Sequence, residues 1–178
     1  MNLMKNKKIL LIVDIVLLIL LVALDQITKS IAVVYLKDQP AIPLIEGVFE
    51  FRYLENRGAA FGMLQDQRLF FLIVTVIILS AILYLIIKLP CEKKYQWLNF
   101  TLIVVSAGAV GNMIDRAMLV YVIDFLYFSL IDFPIFNVAD IYVTISSIVL
   151  GLLYLFYYKE DDFDFLNTKK NKGNSKEV

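Results

Sequence analysis

The sequence predicts an α-helical membrane protein, with four transmembrane helices and a small β element in the loop on the outer side. Three observations carry this. Hydrophobic residues make up 60% of the 178-residue chain and mean hydropathy is +0.75, above the roughly half-apolar composition of soluble domains. Four largely apolar segments come close to or exceed the roughly 20 residues that a spanning helix needs. The first outer loop contains a run with a period of two, the pattern of a strand.

The first helix is expected over Ile9 to Leu24, apolar except for Asp14, and continues through Lys29 to about Leu36. Lys5, Lys7 and Lys8 precede it, as in a secretory signal. No small-x-small cleavage site follows and the apolar region is too long, so a retained signal-anchor helix is expected. No lipid-modifiable Cys lies near residue 25, so the chain is not expected to be a lipoprotein itself. The second helix is expected over Leu69 to Ile87, which carries no charge. The third runs from Leu98 to Val110 and on through a polar cluster to about Leu119, and the fourth from Val138 to Tyr158, interrupted only by Asp140. Residues 1–158 form one transmembrane domain in this reading. The charged stretch 159–178 is a solvated tail without fixed structure.

Positive charge sets orientation. Lys5, Lys7 and Lys8, the loop with Lys88, Lys93 and Lys94, and the tail with Lys159, Lys169, Lys170, Lys172 and Lys176 all fall on one side of a four-span chain. The opposite side has Lys37, Arg52, Arg57 and Arg68 in a long loop, and neither Lys nor Arg in segment 119–137. Both termini are therefore expected in the cytoplasm, with segments 37–68 and 119–137 outside. In the first outer loop, Val48 to Glu55 alternates, with Phe49, Phe51 and Tyr53 on one face and Glu50 and Arg52 on the other. This strand is either a structural hairpin capping the bundle or a platform for an extended substrate.

Composition narrows the chemistry. The chain has no His and one Cys, Cys91. That excludes Ser-His-Asp and Cys-His catalysis, His- or multi-Cys-ligated metal and an internal disulfide. No cofactor or metal is expected. The formal net charge is zero, which gives no reason to expect a nucleic-acid partner. What remains is carboxylates. Asp124 and Asp140 flank a short turn in a very apolar stretch. A carboxylate at the centre of a spanning helix costs about 2.5 kcal/mol or more, and such residues usually face a protein interior or a wet cavity.

The polar residues also cluster. Asp25, Thr28 and Lys29 share one helical face at i, i+3 and i+4, and so do Asn112, Asp115 and Arg116. Asn137, Asp140 and Thr144 share a third face. By the orientation above, all three lie near the outer surface. Each alone is equally a structural ion pair or a clasp between helices; together, facing Asp124, they point to a shared polar site. Ala107, Gly108 and Gly111 read as positions of close helix packing. Asp14, near the cytoplasmic end, is explained by snorkelling or a local hydrogen bond. Two neighbouring carboxylates resist double ionisation and can share one proton near neutrality. The ionised member then takes a proton from water while the other polarises a carbonyl, a metal-free route to peptide hydrolysis. A turn through Pro134 permits the two to meet, although spacing alone does not establish it. Other classes also fit parts of the pattern. A proton-coupled transporter would carry polar residues through the membrane depth, and a non-catalytic scaffold would tolerate loss of one carboxylate.

Five motifs occur in order: Asp25-Gln26-x-Thr28-Lys29, Asn56-x-Gly58-Ala59-Ala60-Phe61-Gly62, Gly111-Asn112-x-x-Asp115-Arg116, Val122-x-Asp124-Phe125 and Phe133-Pro134-x-Phe136-Asn137-x-Ala139-Asp140. With four spans between them, residues 9–158 resemble the lipoprotein signal peptidase family (signal peptidase II) of bacterial cytoplasmic membranes. The resemblance implies an aspartic peptidase of four transmembrane helices with an outer β-cradle at about residues 37–68. Its partners would be membrane lipid and prolipoproteins whose Cys already carries diacylglycerol. It would cut on the N-terminal side of that Cys. The family's catalytic dyad corresponds to Asp124 and Asp140. Asn56, Asn112, Arg116 and Asn137 correspond to substrate-contacting or site-shaping positions. Asp25, Lys29, Gly58, Gly108 and Asp115 are expected in support, with Asp115 paired to its neighbour Arg116. The tail beyond Tyr158 lies outside the resemblance.

Overall fold

The computed structural model describes residues 6–58 and 63–166. These form helices α1 (Lys7–Leu36), α2 (Arg68–Lys88), α3 (Gln96–Leu119) and α4 (Val138–Leu152), and strands β1 (Ile42–Ile45), β2 (Phe49–Asn56) and β3 (Val122–Tyr127). The helix α4 runs on as a π-helical turn over Leu153–Tyr157. All four helical segments are long and apolar enough to cross a membrane. Their limits fall within about two residues of those expected from the sequence. The 30 residues of α1 span roughly 45 Å at 1.5 Å per residue, more than a hydrocarbon core of roughly 30 Å. The helix is therefore longer than the apolar layer is thick.

The bundle is built around α3. Half of its most apolar window is buried, against 11% for each of the other three, so α3 takes contacts that the others give to lipid. Small residues make this possible. Ala107 is fully buried, and a Cβ on Gly108 would lie 2.5 Å from the Ala139 carbonyl oxygen of α4. Toward one end, Ile82 and Ile86 of α2 pack on Leu102 and Ile103 of α3. Lys7 Nζ there donates to the carbonyl oxygens of Ile86 (2.6 Å) and Leu89 (2.7 Å), closing the C-terminus of α2.

At the other end sits an antiparallel sheet in the order β1-β2-β3. The expected strand is present as β2, displaced by one residue. The strand β3 was not anticipated. It is buried on both faces: Ile123 and Phe125 pack on Ala32 and Leu36 of α1, while Val122 and Asp124 turn away from that cluster. The helix α3 stops just before it, at Val120 with φ 76°. This is a left-handed backbone that a β-branched residue adopts only under strain, and it reverses the chain into β3. The chain then doubles back. The Phe136 carbonyl oxygen accepts from the N–H groups of Phe125 (3.0 Å) and Leu126 (2.8 Å), and the Phe136 N–H donates to Leu126 O (3.0 Å). This pairing delivers the chain to the start of α4.

Two expectations need correction. The stretch after Tyr158 is not without structure over its first residues. Glu160–Leu166 forms 3-10 turns, Phe163 and Phe165 pack on Leu89, Tyr95 and Tyr158, and Asp162 pairs with Lys94. Its aromatic residues have an apolar face to bury there, which the charge-rich composition concealed. Residues 167–178 lie outside the described residues, as do Ala59, Ala60, Phe61 and Gly62. The Asp14 carboxylate is held not locally but across to α3, accepting from Asn99 Nδ2 at 2.8 Å.

Candidate active site

The sheet end of the bundle gathers the polar clusters of α1, α3 and α4 and faces them with β3. Asp124 lies on the face of β3 that also carries Val122. Its direct partner across the ladder is Leu54, and Asn56, two residues on, pairs with Val122. Asn56 therefore shares Asp124's face on the diagonal, and its Nδ2 donates to Asp124 Oδ2 at 2.8 Å. Asp124 is only 1% exposed. Burial first, and then the charge of Asp140, push its carboxyl up to about 7.

Asp140 is fixed by the start of α4. Asn137 is the N-cap, and its side chain accepts from Asp140 N at 2.9 Å. Asp140 Oδ2 in return accepts from Asn137 N at 3.1 Å, a closed capping box. The other oxygen, Oδ1, accepts from Asn112 Nδ2 of α3 at 2.8 Å. The two aspartates are joined through the same cap: Asn137 Nδ2 donates to Asp124 Oδ1 at 2.6 Å. The turn through Pro134 thus brings the two carboxylates to a single site.

Both line one cavity of about 520 Å³. Its polar wall is Asn56, Asn112, Arg116, Thr144 and the two carboxylates, and its apolar wall includes Phe133, Ile135 and Ile141. Arg116 donates from Nη2 to Gly58 O at 3.3 Å and lies over Phe71 with Cζ 4.6 Å from the ring centroid. Phe71, on the charge-free second span, carried no polar signal that would have marked it. The amide nitrogens of Asn56, Asn112 and Asn137 are all turned onto the aspartates.

The remaining expected residues form a layer beneath. Lys29 Nζ pairs with Asp25 Oδ2 at 2.9 Å, as the i, i+4 spacing foretold, and with Asp115 Oδ2 at 3.0 Å. Asp115 is therefore partnered by Lys29 of α1 and not by Arg116 in an ion pair. Consecutive helical residues point about 100° apart, so 115 and 116 face different neighbours. Gln26, which carried no assignment, bridges the acidic pair, donating from Nε2 to Asp25 Oδ2 (3.1 Å) and Asp115 Oδ1 (3.0 Å). Its signal was a lone amide beside Asp25 in an apolar run. A Cβ on Gly111 would lie 2.5 Å from Asp25 Oδ2, so this glycine admits the carboxylate. Gly58 lies against the Met63 carbonyl oxygen with no room for a side chain.

Fold and site together define a class: a four-helix membrane protein with a carboxylate pair set between helix ends and a small antiparallel sheet. Residues 17–156 match the family model described as Signal peptidase (SPase) II. The lipoprotein signal peptidase of Caldanaerobacter subterraneus subsp. tengcongensis is 46% identical over 143 residues, which cover 80% of this chain and 95% of that protein. The lipoprotein signal peptidase of Streptococcus pyogenes serotype M5 (strain Manfredo) is 41% identical over 146 residues, covering 82% and 93%. Two solved structures described as bacterial membrane enzymes, at 2.3 Å and 1.9 Å, each superpose with a TM-score of 0.70. They are 31% and 32% identical, covering 93% and 82% of this chain and 93% and 94% of theirs. The chain belongs to the signal peptidase II family: it is an aspartic peptidase of the bacterial inner membrane that removes signal peptides from prolipoproteins.

Proposed function

We propose that Asp124 and Asp140 are the catalytic dyad and hydrolyse the peptide bond on the N-terminal side of a diacylglyceryl-modified cysteine. One observation carries this reading: two carboxylates from different elements line one cavity and are joined through a single residue, Asn137. Burial and mutual repulsion leave the pair with one proton near neutrality. The ionised member takes a proton from water as the water oxygen attacks the scissile carbonyl carbon. The protonated member donates to the carbonyl oxygen, giving a tetrahedral diol. The C–N bond then breaks as the proton gained from water passes to the leaving amine and one diol hydroxyl proton returns to the other carboxylate, restoring the starting pair. The products are the signal peptide's new carboxyl group and the free amine of the lipidated cysteine.

Geometry also supports a revised division of labour. The amides of Asn56, Asn112 and Asn137 serve the carboxylates, holding them in fixed orientations. Contact with substrate carbonyls falls to Arg116 and the backbone around Gly58. The apolar wall along Phe133 and Ile141 suits a lipidated residue and its acyl chains. The lysine distribution supports cytoplasmic termini and a site at the outer face, where the anchored cysteine and its spanning signal peptide meet.

The test is to identify the cut itself. Purified protein in detergent is given a diacylglyceryl-modified precursor and its unmodified twin, and the products are sequenced by mass spectrometry. The expected result is a single cut that leaves the lipidated cysteine as the new N-terminus, with the unmodified twin spared. Cleavage elsewhere, or equal cleavage of both, overturns the substrate assignment.

A further inference from the structure

Lys29 is 1% exposed and is not among the residues lining the cavity, so it does not touch substrate. Yet its ammonium group is fully used. Its three N–H donors are matched by three acceptors: Asp25 Oδ2 at 2.9 Å, Asp115 Oδ2 at 3.0 Å and Asn112 Oδ1 at 2.9 Å. What those acceptors hold in turn is specific. Asp25 Oδ1 accepts from the backbone N–H of Ala139 at 2.9 Å, the residue immediately before Asp140. Asp115 Oδ2 accepts from the backbone N–H of Ile123 at 3.1 Å, the residue immediately before Asp124. Asn112 completes the arrangement. Its Oδ1 is taken by Lys29 and by Asn137 Nδ2 (3.1 Å), which leaves its Nδ2 to donate to Asp140 Oδ1. An ammonium group beside Oδ1 forbids the flipped amide, which would turn N–H groups toward the lysine.

We propose that Lys29 is the positioning residue of the dyad: through Asp25 and Asp115 it fixes the backbone next to each catalytic aspartate, and through Asn112 it fixes the Asp140 carboxylate. The two acidic arms come from α1 and α3, and the two held N–H groups belong to α4 and β3. A single lysine therefore sets the spacing between two aspartates that are 16 positions apart in sequence and on separate elements. A lysine serving only as a helix clasp needs none of these connections to the residues beside the dyad. This inference rests on the dyad reading above and adds a residue that acts on it from behind.

The charge of Lys29 also reaches the site, since it favours the ionised form of Asp124. The other groups facing Asp124 are Asp140, Arg116, Asn56 and Asn137. Removing Lys29 while keeping these moves the alkaline limb of the pH–rate profile to higher pH. A lysine that served only to hold the helices together would leave kcat and the profile of the folded protein where they are.

The experiment compares wild type, Lys29→Met, the neutral triple variant Lys29→Met/Asp25→Asn/Asp115→Asn, and Asp124→Asn, all full-length in detergent. The triple variant removes the buried charges together, which a fold commonly tolerates far better than one unpaired charge. It also keeps an amide oxygen at 25 and 115 to accept the two N–H groups. The expected result is a folded triple variant whose kcat is down by about 100-fold, as a misplacement of about 1 Å costs, with KM within about twofold of wild type. Where Lys29→Met folds, it shows the same loss and an alkaline limb displaced upward. A folded variant lacking Lys29 with wild-type kcat and an unmoved pH profile overturns the proposal. So does a triple variant that cannot fold, because the triad would then be a requirement of the fold and not of the spacing. Substantial cleavage by Asp124→Asn instead sinks the dyad reading, a separate result.

Discussion

Asn137 Nδ2 lies 2.6 Å from Asp124 Oδ1. The same residue caps α4 and holds Asp140 through its backbone N–H. The helix cap and the brace of the proposed dyad are thus one side chain, and the two roles are expected to separate by mutation. Asn137→Ser keeps a capping oxygen but has no group to reach Asp124; Asn137→Ala loses both. The serine variant is expected to retain about 1 kcal/mol more stability than the alanine variant, while both lose cleavage activity by about 100-fold. Thermal unfolding and precursor cleavage, measured on the same preparations, check the split.

Asp124 predicts the pH dependence. Its carboxyl is pushed up to about 7 by burial and by the charge of Asp140. Above that pH Asp124 gives up its proton and the proposed pair loses that acid, so cleavage is expected to fall as pH rises past about 7. Stability follows with a definite sign. The folded state binds this proton more tightly than the unfolded chain, whose carboxyl titrates near 3.8. Its contribution is therefore fully present below about pH 4 and is lost as pH rises to about 7. Asp124→Asn removes that slope. Melting temperatures from pH 5 to 8 fall more steeply for wild type than for the variant.

Two of the helical glycines, Gly111 and Gly151, give opposite results on substitution by alanine. At Gly111 a Cβ meets Asp25 Oδ2 at 2.5 Å; at Gly151 it meets nothing within 4 Å. Gly111→Ala is expected to destabilise by about 1–3 kcal/mol and to disturb the Asp25–Lys29–Asp115 layer. Gly151→Ala is expected to stabilise by about 0.5–1 kcal/mol through its gain in helix propensity. Equal effects at the two sites, measured by thermal unfolding, contradict the packing described.

How much of this was legible in the sequence follows from which faces are covered. The four helices were readable because lipid rewards uniformly apolar runs. The strand β2 was readable because one of its faces stays wet and its residues alternate. The strand β3 was not, because α1 covers Ile123 and Phe125 while the buried side chains of Val122 and Asp124 face the polar site. A strand buried on both faces loses its period of two. The aspartates could be singled out by the cost of placing them there, but their union depends on backbone hydrogen bonds from Phe136 to Phe125 and Leu126, which no side-chain pattern announces. Adjacency suggested Arg116 for Asp115, and helical geometry gave it Lys29 instead. The asparagines were visible as polar residues at the right depth. That their amide nitrogens are spent on the carboxylates emerges only from their hydrogen-bond partners.

The most direct test of the central claim is cleavage of a diacylglyceryl-modified precursor by Asp124→Asn and by Asp140→Asn, each shown to be folded by its thermal transition. The asparagines keep the shape of the site and remove one carboxyl apiece. A dyad that shares the work predicts that both variants fold and that each loses cleavage by at least about 1,000-fold. Substantial turnover by either folded variant contradicts it.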